Sequence, residues 1–360
     1  MKTKLYTIII FMFSSILVLA QEESKPSPFT VNGYLETYYV YDFNKPESNT
    51  RPGFVYSFNR HNEVNLNLGF VRGSYDTDNV RANFAMMAGT YANANLAAEP
   101  GVLKNVFEAN AGVKISSTKN VWVDAGIFAS HIGFESAIGK DCWNLTRSIL
   151  ADNTPYYESG VKISYTTDDG KWFLSGLILN GWQRIQRVEG NSLPSFGTQI
   201  TFKPTSTITL NSSSFIGTDK PDSARQMRYF HNFYGTFQVA KNVGLIFGFD
   251  YGVEDKSPES NAKNAWLSPV LIARFALGDK LALAVRGEYY QDEHGVVIAT
   301  GTPNGFKTTG ISANLDYQVL PNALWRIEAR NFNSKDKVFE KGNDASNVNT
   351  FVSTSISVSF

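Results

Sequence analysis

The last residues of the chain, Asn349–Phe360, read N-T-F-V-S-T-S-I-S-V-S-F. Val352, Thr354, Ile356, Val358 and Phe360 share one parity, and Ser353, Ser355, Ser357 and Ser359 share the other. A period of two places these sets on opposite faces of a strand, one apolar and one small and polar. The sequence then stops on an aromatic residue of the apolar face.

The same alternation starts as soon as the polar N-terminal stretch ends. Phe29, Val31, Leu35, Tyr39 and Tyr41 take one face, and Thr30, Asn32, Glu36 and Tyr38 take the other. Fifteen further strand-like runs follow, near 60–74, 79–91, 104–117, 120–131, 156–167, 171–183, 194–204, 206–217, 227–240, 243–254, 265–278, 280–291, 305–319, 322–333 and 349–360. In two of the clearest, Val64, Leu66, Leu68 and Phe70 oppose Glu63, Asn65 and Asn67, and Phe107, Ala109, Ala111, Val113 and Ile115 oppose Glu108, Asn110 and Lys114. In a third, Val243, Leu245, Phe247, Phe249 and Tyr251 oppose Asp250. The runs at 171–183 and 265–278 are apolar on both faces, and Pro269 weakens the second. No stretch keeps a 3.6-residue period, and Ala92–Lys104 has room for a turn of helix at most.

The connections alternate in length, and that decides the architecture. Short turns rich in Gly, Asp, Asn or Pro follow the even-numbered runs, as in S-Y-D-T-D-N at 74–79 and T-D-D-G-K at 167–171. Long polar loops follow the odd-numbered runs: 43–59, 92–103, 132–155, 184–193, 218–226, 255–264, 292–304 and 334–348. A soluble sandwich has no reason to sort its loops by parity. A transmembrane antiparallel up-and-down β-barrel of about 16 strands does, with periplasmic turns, external loops and both termini inside.

The N-terminus agrees with export. Lys2 and Lys4 precede an apolar run, Leu5–Leu19, and Val18-Leu19-Ala20 offers a small-residue cleavage site. Residues 1–20 therefore read as a signal peptide, 21–28 as a short periplasmic tail and 29–360 as the barrel. The run is too short for a membrane helix and has no stop-transfer flank. No Cys follows the cleavage site, which excludes a lipid anchor there. The 33 basic and 33 acidic residues balance, and loss of Lys2 and Lys4 leaves the rest slightly acidic. Nucleic-acid binding wants a basic surface and is not expected. With Cys142 as the single cysteine there is no disulfide framework. A mean hydropathy of −0.21 beside 14% aromatics suits strands with one greasy face.

If the apolar parity faces lipid, the other lines the lumen. It collects Arg81, Lys114, Lys162, Lys203, Arg228, Arg286, Arg326 and Arg330, together with Glu36, Glu63, Glu108, Asp124, Asp250, Glu288, Asp316 and Glu328. Equal numbers of each sign predict a wet, nearly neutral lumen, with R-G-E at 286–288 and R-I-E-A-R at 326–330 forming cross-strand pairs. A 16-stranded barrel is too wide to fill with its own wall side chains. Tyr41, Tyr165, Tyr251, Tyr289, Tyr317 and Trp325 suit interfacial girdles on the outward parity.

No catalytic or metal set emerges. His61, His131, His231 and His294 lack metal spacing, and there is no G-x-S-x-G elbow. No cofactor is implied.

The longest connection, 132–155, carries Glu135, Lys140, Asp141, Arg147 and Asp152 beside apolar Ile138, Trp143, Leu145, Ile149 and Leu150. A loop wholly in solvent has little use for those apolar residues. It is expected to fold against the inner wall and set a charged constriction; the alternatives are a hydrophobic cap over its own strands at the rim or a contact between subunits.

The stretches D-A-G-I-F-A-S-H-I-G-F-E-S-A from Asp124, N-L-T-R-S-I-L from Asn144 and T-P-Y-Y-E-S-G-V-K-I-S-Y from Thr154 carry a resemblance, as do L-N-G-W-Q at 179–183 and A-V-R-G-E-Y-Y-Q-D at 284–292. The chain resembles the β-barrel porin-2, or OmpL-like, family of bacterial outer-membrane porins. Gly126, Gly133, Glu135 and Arg147 match the family pattern, and Cys142 does not belong to it. The resemblance implies a passive channel for ions and small hydrophilic solutes in the outer membrane. The C-terminal Phe360 resembles the aromatic signal read by the barrel-assembly machinery. Partners are then outer-membrane lipid, that machinery and the solutes, and a homo-oligomer is compatible with the pattern. The alternative is a non-conducting barrel that binds a partner through its external loops. An active transporter with 22 strands and a plug exceeds the chain's length.

Overall fold

The computed structural model describes residues 27–360. The expected signal peptide, 1–20, and all but the end of the 21–28 tail lie outside the described residues. The strands are β1 (Phe29–Asp42), β2 (Val64–Asp76), β3 (Val80–Ala88), β4 (Val106–Lys114), β5 (Asn120–Ala129), β6 (Tyr157–Thr166), β7 (Trp172–Leu179), β8 (Ser195–Thr205) and β9 (Ile208–Gly217). They continue as β10 (Arg228–Ala240), β11 (Val243–Asp255), β12 (Lys263–Ala276), β13 (Leu281–Asp292), β14 (Phe306–Leu320), β15 (Ala323–Ser334), β16 (Phe339–Lys341), β17 (Asp344–Ser346) and β18 (Val348–Ser359). All but β16 and β17 form one closed antiparallel barrel in sequence order, with β18 returning to β1. The two exceptions form a small hairpin inside the last long connection. Among the described residues, helix is confined to short pieces such as α1 (Thr90–Asn95) and α2 (Ile149–Asp152).

Closure is made by the C-terminal stretch. Its register runs from Tyr34↔Ser359 to Asp42↔Phe351. One step further, Gly33 N–H donates to Phe360 O at 2.7 Å and Phe360 N–H donates to Gly33 O at 3.0 Å. The Phe360 ring lies where a side chain on Gly33 would be. No sheet edge is left at the seam, which a bilayer requires because it offers unpaired backbone groups no partner.

The outward parity is as alternation dictates over most of the wall. Val113, Val161, Ile163, Phe247, Leu271, Ile311 and Ile356 are all exposed on it, an apolar belt that suits lipid rather than water. Register shifts at the ends of β8, β10 and β14 lie beside their turns, whereas those in β2 and β4 invert the parity of the wall itself. A bulge opposite Glu36 and Thr37 inserts Asn67 into β2, so Val64 stays outside while Leu68 and Phe70 turn inside and are buried. A second irregularity, opposite Ala85 and Met86, turns Phe107 inward, where its ring stacks on Phe70 at 4.8 Å. The expected outward placement of Leu68, Phe70 and Phe107 is corrected on both counts. Pro269 sits inside β12 at a local gap in the β12–β13 pairing, because it has no N–H to give. The Ser268 hydroxyl donates to Tyr289 O at 2.9 Å and satisfies the neighbouring carbonyl.

Candidate functional site

The wall is braced by ion pairs that reach over an intervening strand. Arg81 on β3 clasps Asp124 on β5 through Nε and Nη2 at 2.7 and 2.6 Å, above Gly112, the residue paired with both. Arg72 on β2 reaches Glu108 on β4 at 2.9 Å, across Ala85 of β3. On β13 to β15, Arg286 meets Glu328 at 2.9 Å and Arg330 Nε donates to Glu288 at 3.0 Å, over Gly310 and Ser312 of β14. The reach depends on the smallest side chains standing between long ones. The 286–288 and 326–330 motifs thus pair as charge suggests, two strands apart. Asp316–Arg326 and Glu254–Arg228 are direct cross-strand neighbours.

The 132–155 segment, here L3, crosses the lumen from β5 to the opposite wall. At its start, His131 Nδ1 is 2.8 Å from Glu158 and its Nε2 is 2.8 Å from Ser214 O on β9. Burial pulls the imidazole pKa down, but Glu158 and the Ser214 carbonyl outweigh it and hold it above its ordinary value. Gly133 N–H then donates to Asn232 on β10 at 3.2 Å. On β11, the inward glycines Gly248 and Gly244 leave space filled by the rings of Phe134 and Trp143. A Cβ at either would run into the ring.

L3 docks on β13–β15 and β1 by meeting charges with backbone. Arg326 donates to Gly139 O at 2.8 Å and Cys142 O at 2.9 Å, and Leu145 N–H donates to Asn314 at 3.1 Å. Thr146 is gripped at every polar atom. Its N–H and hydroxyl donate to Glu328 at 2.6 and 2.8 Å. Its carbonyl accepts from Arg286 at 2.7 Å, and its hydroxyl oxygen from Arg286 and Arg330 at 3.0 Å each. Ile149 N–H donates to Glu288 at 2.7 Å. Gly139 lies against the Glu36 carboxylate with no room for a side chain. Under this cover Glu36, Arg286, Arg326 and Glu328 are 0% exposed.

The expectation of a wet wall at these positions is therefore corrected: L3 excludes water from it. The constriction charges are corrected likewise. Arg147 turns into its own loop, donating to Ser136 O at 2.7 Å and Leu145 O at 2.6 Å. Glu135 accepts Ser148 N–H at 3.0 Å and also takes the Ser148 hydroxyl. Asp152 is buried against Tyr156, whose hydroxyl donates to it at 3.1 Å, and burial pushes its pKa up to about 7. Only Lys140 and Asp141 of the five remain exposed, 3.5 Å apart. Cys142 donates to Ser136 O at 3.3 Å, and burial pushes its pKa up to about 11.

The remaining positions sort by depth. Glu63 lies just outside β2 at the external rim, paired with Arg60 at 2.8 Å. Asp250 is buried with Asn232. Lys162 stands 4.8 Å above the Phe128 ring at mid-strand. Lys114 and Lys203 sit near the periplasmic ends of β4 and β8. Sequence reading missed the aromatic packing of the external half, where Phe54 from the first loop meets Phe306 at 4.7 Å and Phe332 at 5.8 Å. Open space remains beside L3. A cavity of about 600 Å³ lies between Phe134, Trp143 and Tyr234 and the β6–β9 wall, reaching Lys171 in the β6–β7 turn. A second, of about 410 Å³, lies under Lys140 and Asp141 beside Arg274.

A closed 16-stranded barrel with an apolar belt and a loop folded across its lumen defines an outer-membrane channel of the porin class. The family model for "putative beta-barrel porin-2, OmpL-like" matches residues 28–360, and the chain belongs to that family. Solved structures with the same fold include an anion-selective porin from Comamonas acidovorans, at 10% identity and TM-score 0.60, covering 92% of this chain and 99% of that one. The outer-membrane channel DcaP of Acinetobacter baumannii gives 11% identity and TM-score 0.60, covering 95% and 100%. The trimer form of OmpT from Vibrio cholerae gives 10% and 0.56, covering 92% and 99%. No curated protein matches the chain.

Proposed function

We propose that this protein is a passive diffusion channel through which ions and small hydrophilic solutes cross the bacterial outer membrane. The observation that carries this reading is L3: it spans the lumen, packs against β13–β15 and leaves on the β6–β9 side a cavity lined by aromatic side chains together with threonines and lysines. Such an arrangement narrows a wide barrel without filling it. Flow down a gradient needs no cofactor or energy source. Residues 1–20 serve as the export signal, cleaved near Ala20, and 21–28 as a periplasmic tail. Phe360 is the handle for the assembly machinery, and its exposed position at the seam suits that role. A homo-oligomer fits the trimer form known for Vibrio cholerae OmpT.

Purified protein in liposomes tests this. Swelling in neutral sugars should fall steeply as the sugar grows. Liposomes that stay tight to the smallest sugar, with heat-modifiable barrel present, would refute it. One observation favours a non-conducting barrel that meets a partner through its loops: the Phe54–Phe306–Phe332–Phe339 packing of the external half.

A further inference from the structure

We propose that the channel selects small anions, inorganic ions and short carboxylates alike, and that Lys114, Lys162, Lys203 and Arg274 set this selectivity. The inference rests on the channel reading above and names its solute class. By count, inward cations and anions balance in the sequence, but the structure does not leave them equally available. The carboxylates are consumed: Glu108, Asp124, Glu254, Glu288, Asp316 and Glu328 in ion pairs with arginines. Glu36, Glu158 and Asp250 are likewise buried under L3 or against His131 and Asn232. Nearer the external rim, Asn349 donates to both oxygens of Asp42 at 2.8 Å. The N–H groups of Val296, Val297 and Ile298 cap Asp292. Among the described inward strand positions, Asp76 at the end of β2 is left without a partner.

The inward cations divide differently. Arg72, Arg81, Arg228, Arg286, Arg326 and Arg330 are spent on carboxylates, because the planar guanidinium fork suits such pairing. Lys114, Lys162, Lys203 and Arg274 have no carboxylate within ion-pair distance among the described residues. Lys114, Lys203 and Arg274 stand near the last residues of β4, β8 and β12, around the periplasmic half, and Lys162 stands above them on β6. Lys203 lines the 600 Å³ cavity with Lys171 and the hydroxyls of Thr166, Thr201, Thr209 and Thr236, while its acidic lining residues are engaged, Asp141 beside Lys140 and Glu135 by Ser148. Arg274 lines the 410 Å³ cavity below L3. A low-dielectric wall focuses the field of such uncompensated charges into the water they face. Ammonium groups beside hydroxyl donors exchange weakly held anions without trapping them.

The test is the reversal potential of single channels of the full-length protein in planar bilayers under a potassium chloride gradient. Chloride should permeate severalfold more readily than potassium. The combined Lys114→Gln, Lys162→Gln, Lys203→Gln and Arg274→Gln variant leaves every ion pair intact. It should lower that ratio severalfold, to about one or below, with conducting channels retained. Lys203→Glu alone, at an exposed position, should move it in the same direction and guards against misfolding of the quadruple variant. A wild-type ratio of one or less, or a ratio unmoved in Lys203→Glu, overturns the proposal while the channel reading stands. A folded barrel that passes no current overturns the channel reading, and the selectivity with it.

Discussion

Thr146→Val removes one hydroxyl and nothing else of consequence in shape. That hydroxyl donates to Glu328 at 2.8 Å and accepts from Arg286 and Arg330 at 3.0 Å each. All four residues are buried, so water cannot replace the lost bonds. Hydrogen bonds to charged groups contribute about 1.5–3 kcal/mol each. The three share partners, so their loss is not additive. A cost of about 3–5 kcal/mol to L3 docking follows. The strand ladder is untouched, so the penalty should appear as release of L3 inside an intact barrel. Trypsin reads this directly, because Arg147 is 0% exposed while L3 is docked. Cleavage after Arg147 should accelerate by at least two orders of magnitude in Thr146→Val, with the unboiled barrel band unchanged and current noise increased. Thr146→Ser keeps the hydroxyl and should behave like wild type. If Val and Ser variants resist trypsin equally, the buried network does not hold L3 and the docking argument fails.

Other perturbations probe the wall, the seam and the pH dependence. Val161→Lys puts a charge on the outer face at mid-strand, next to a residue that already carries one inside, and should cost roughly 2–4 kcal/mol of barrel stability, whereas Lys162→Val should cost little. Urea midpoints in lipid that rank the two the other way would reverse the faces of β6. Deleting Phe360 removes two seam hydrogen bonds and the ring over Gly33, so surface levels should fall far more than for Ser359→Ala, and equal levels would deny the residue its closing role. Burial raises Asp152 from 3.8 to about 7, so its contribution to docking is full below about pH 4 and is lost as pH rises through 7. Current noise should therefore be lower at pH 5 than at pH 8, and Asp152→Asn should flatten the difference to the share of His131, whose raised pKa acts in the same direction; a wild type noisier at pH 5 contradicts the sign.

Strand number, loop sorting and most of the lipid-facing parity are legible in the sequence because each depends on local pattern. A period of two needs only the strand itself, and turn length needs only Gly, Pro, Asn and Asp. Leu68, Phe70 and Phe107 escaped that reading because a single bulge residue inverts parity beyond it, and nothing in V-N-L-N-L-G-F marks Asn67 as the inserted one. The apolar residues of L3 signalled that it folds inward. Which charges it presents was not legible, since Arg147 satisfies carbonyls of its own loop and Glu135 holds Ser148, contacts set by a backbone path with no periodicity. The skip-strand ion pairs were half legible. Charges on one parity were plain, but the pairing needed the register that puts Gly112, Ala85, Gly310 and Ser312 between them. Equal counts on one parity suggest a near-neutral lumen, but a count cannot tell a charge held in an ion pair, such as Asp124 with Arg81, from one without a partner among the described residues, such as Lys203.

On the proposed function, solutes pass through this barrel beside L3. Single-channel recording of the purified full-length protein in planar bilayers tests it most directly. Discrete, ohmic steps that need no energy source are expected, turning noisy in Thr146→Val but not in Thr146→Ser. Heat-modifiable protein that inserts into the bilayer and gives no steps at any voltage would contradict it.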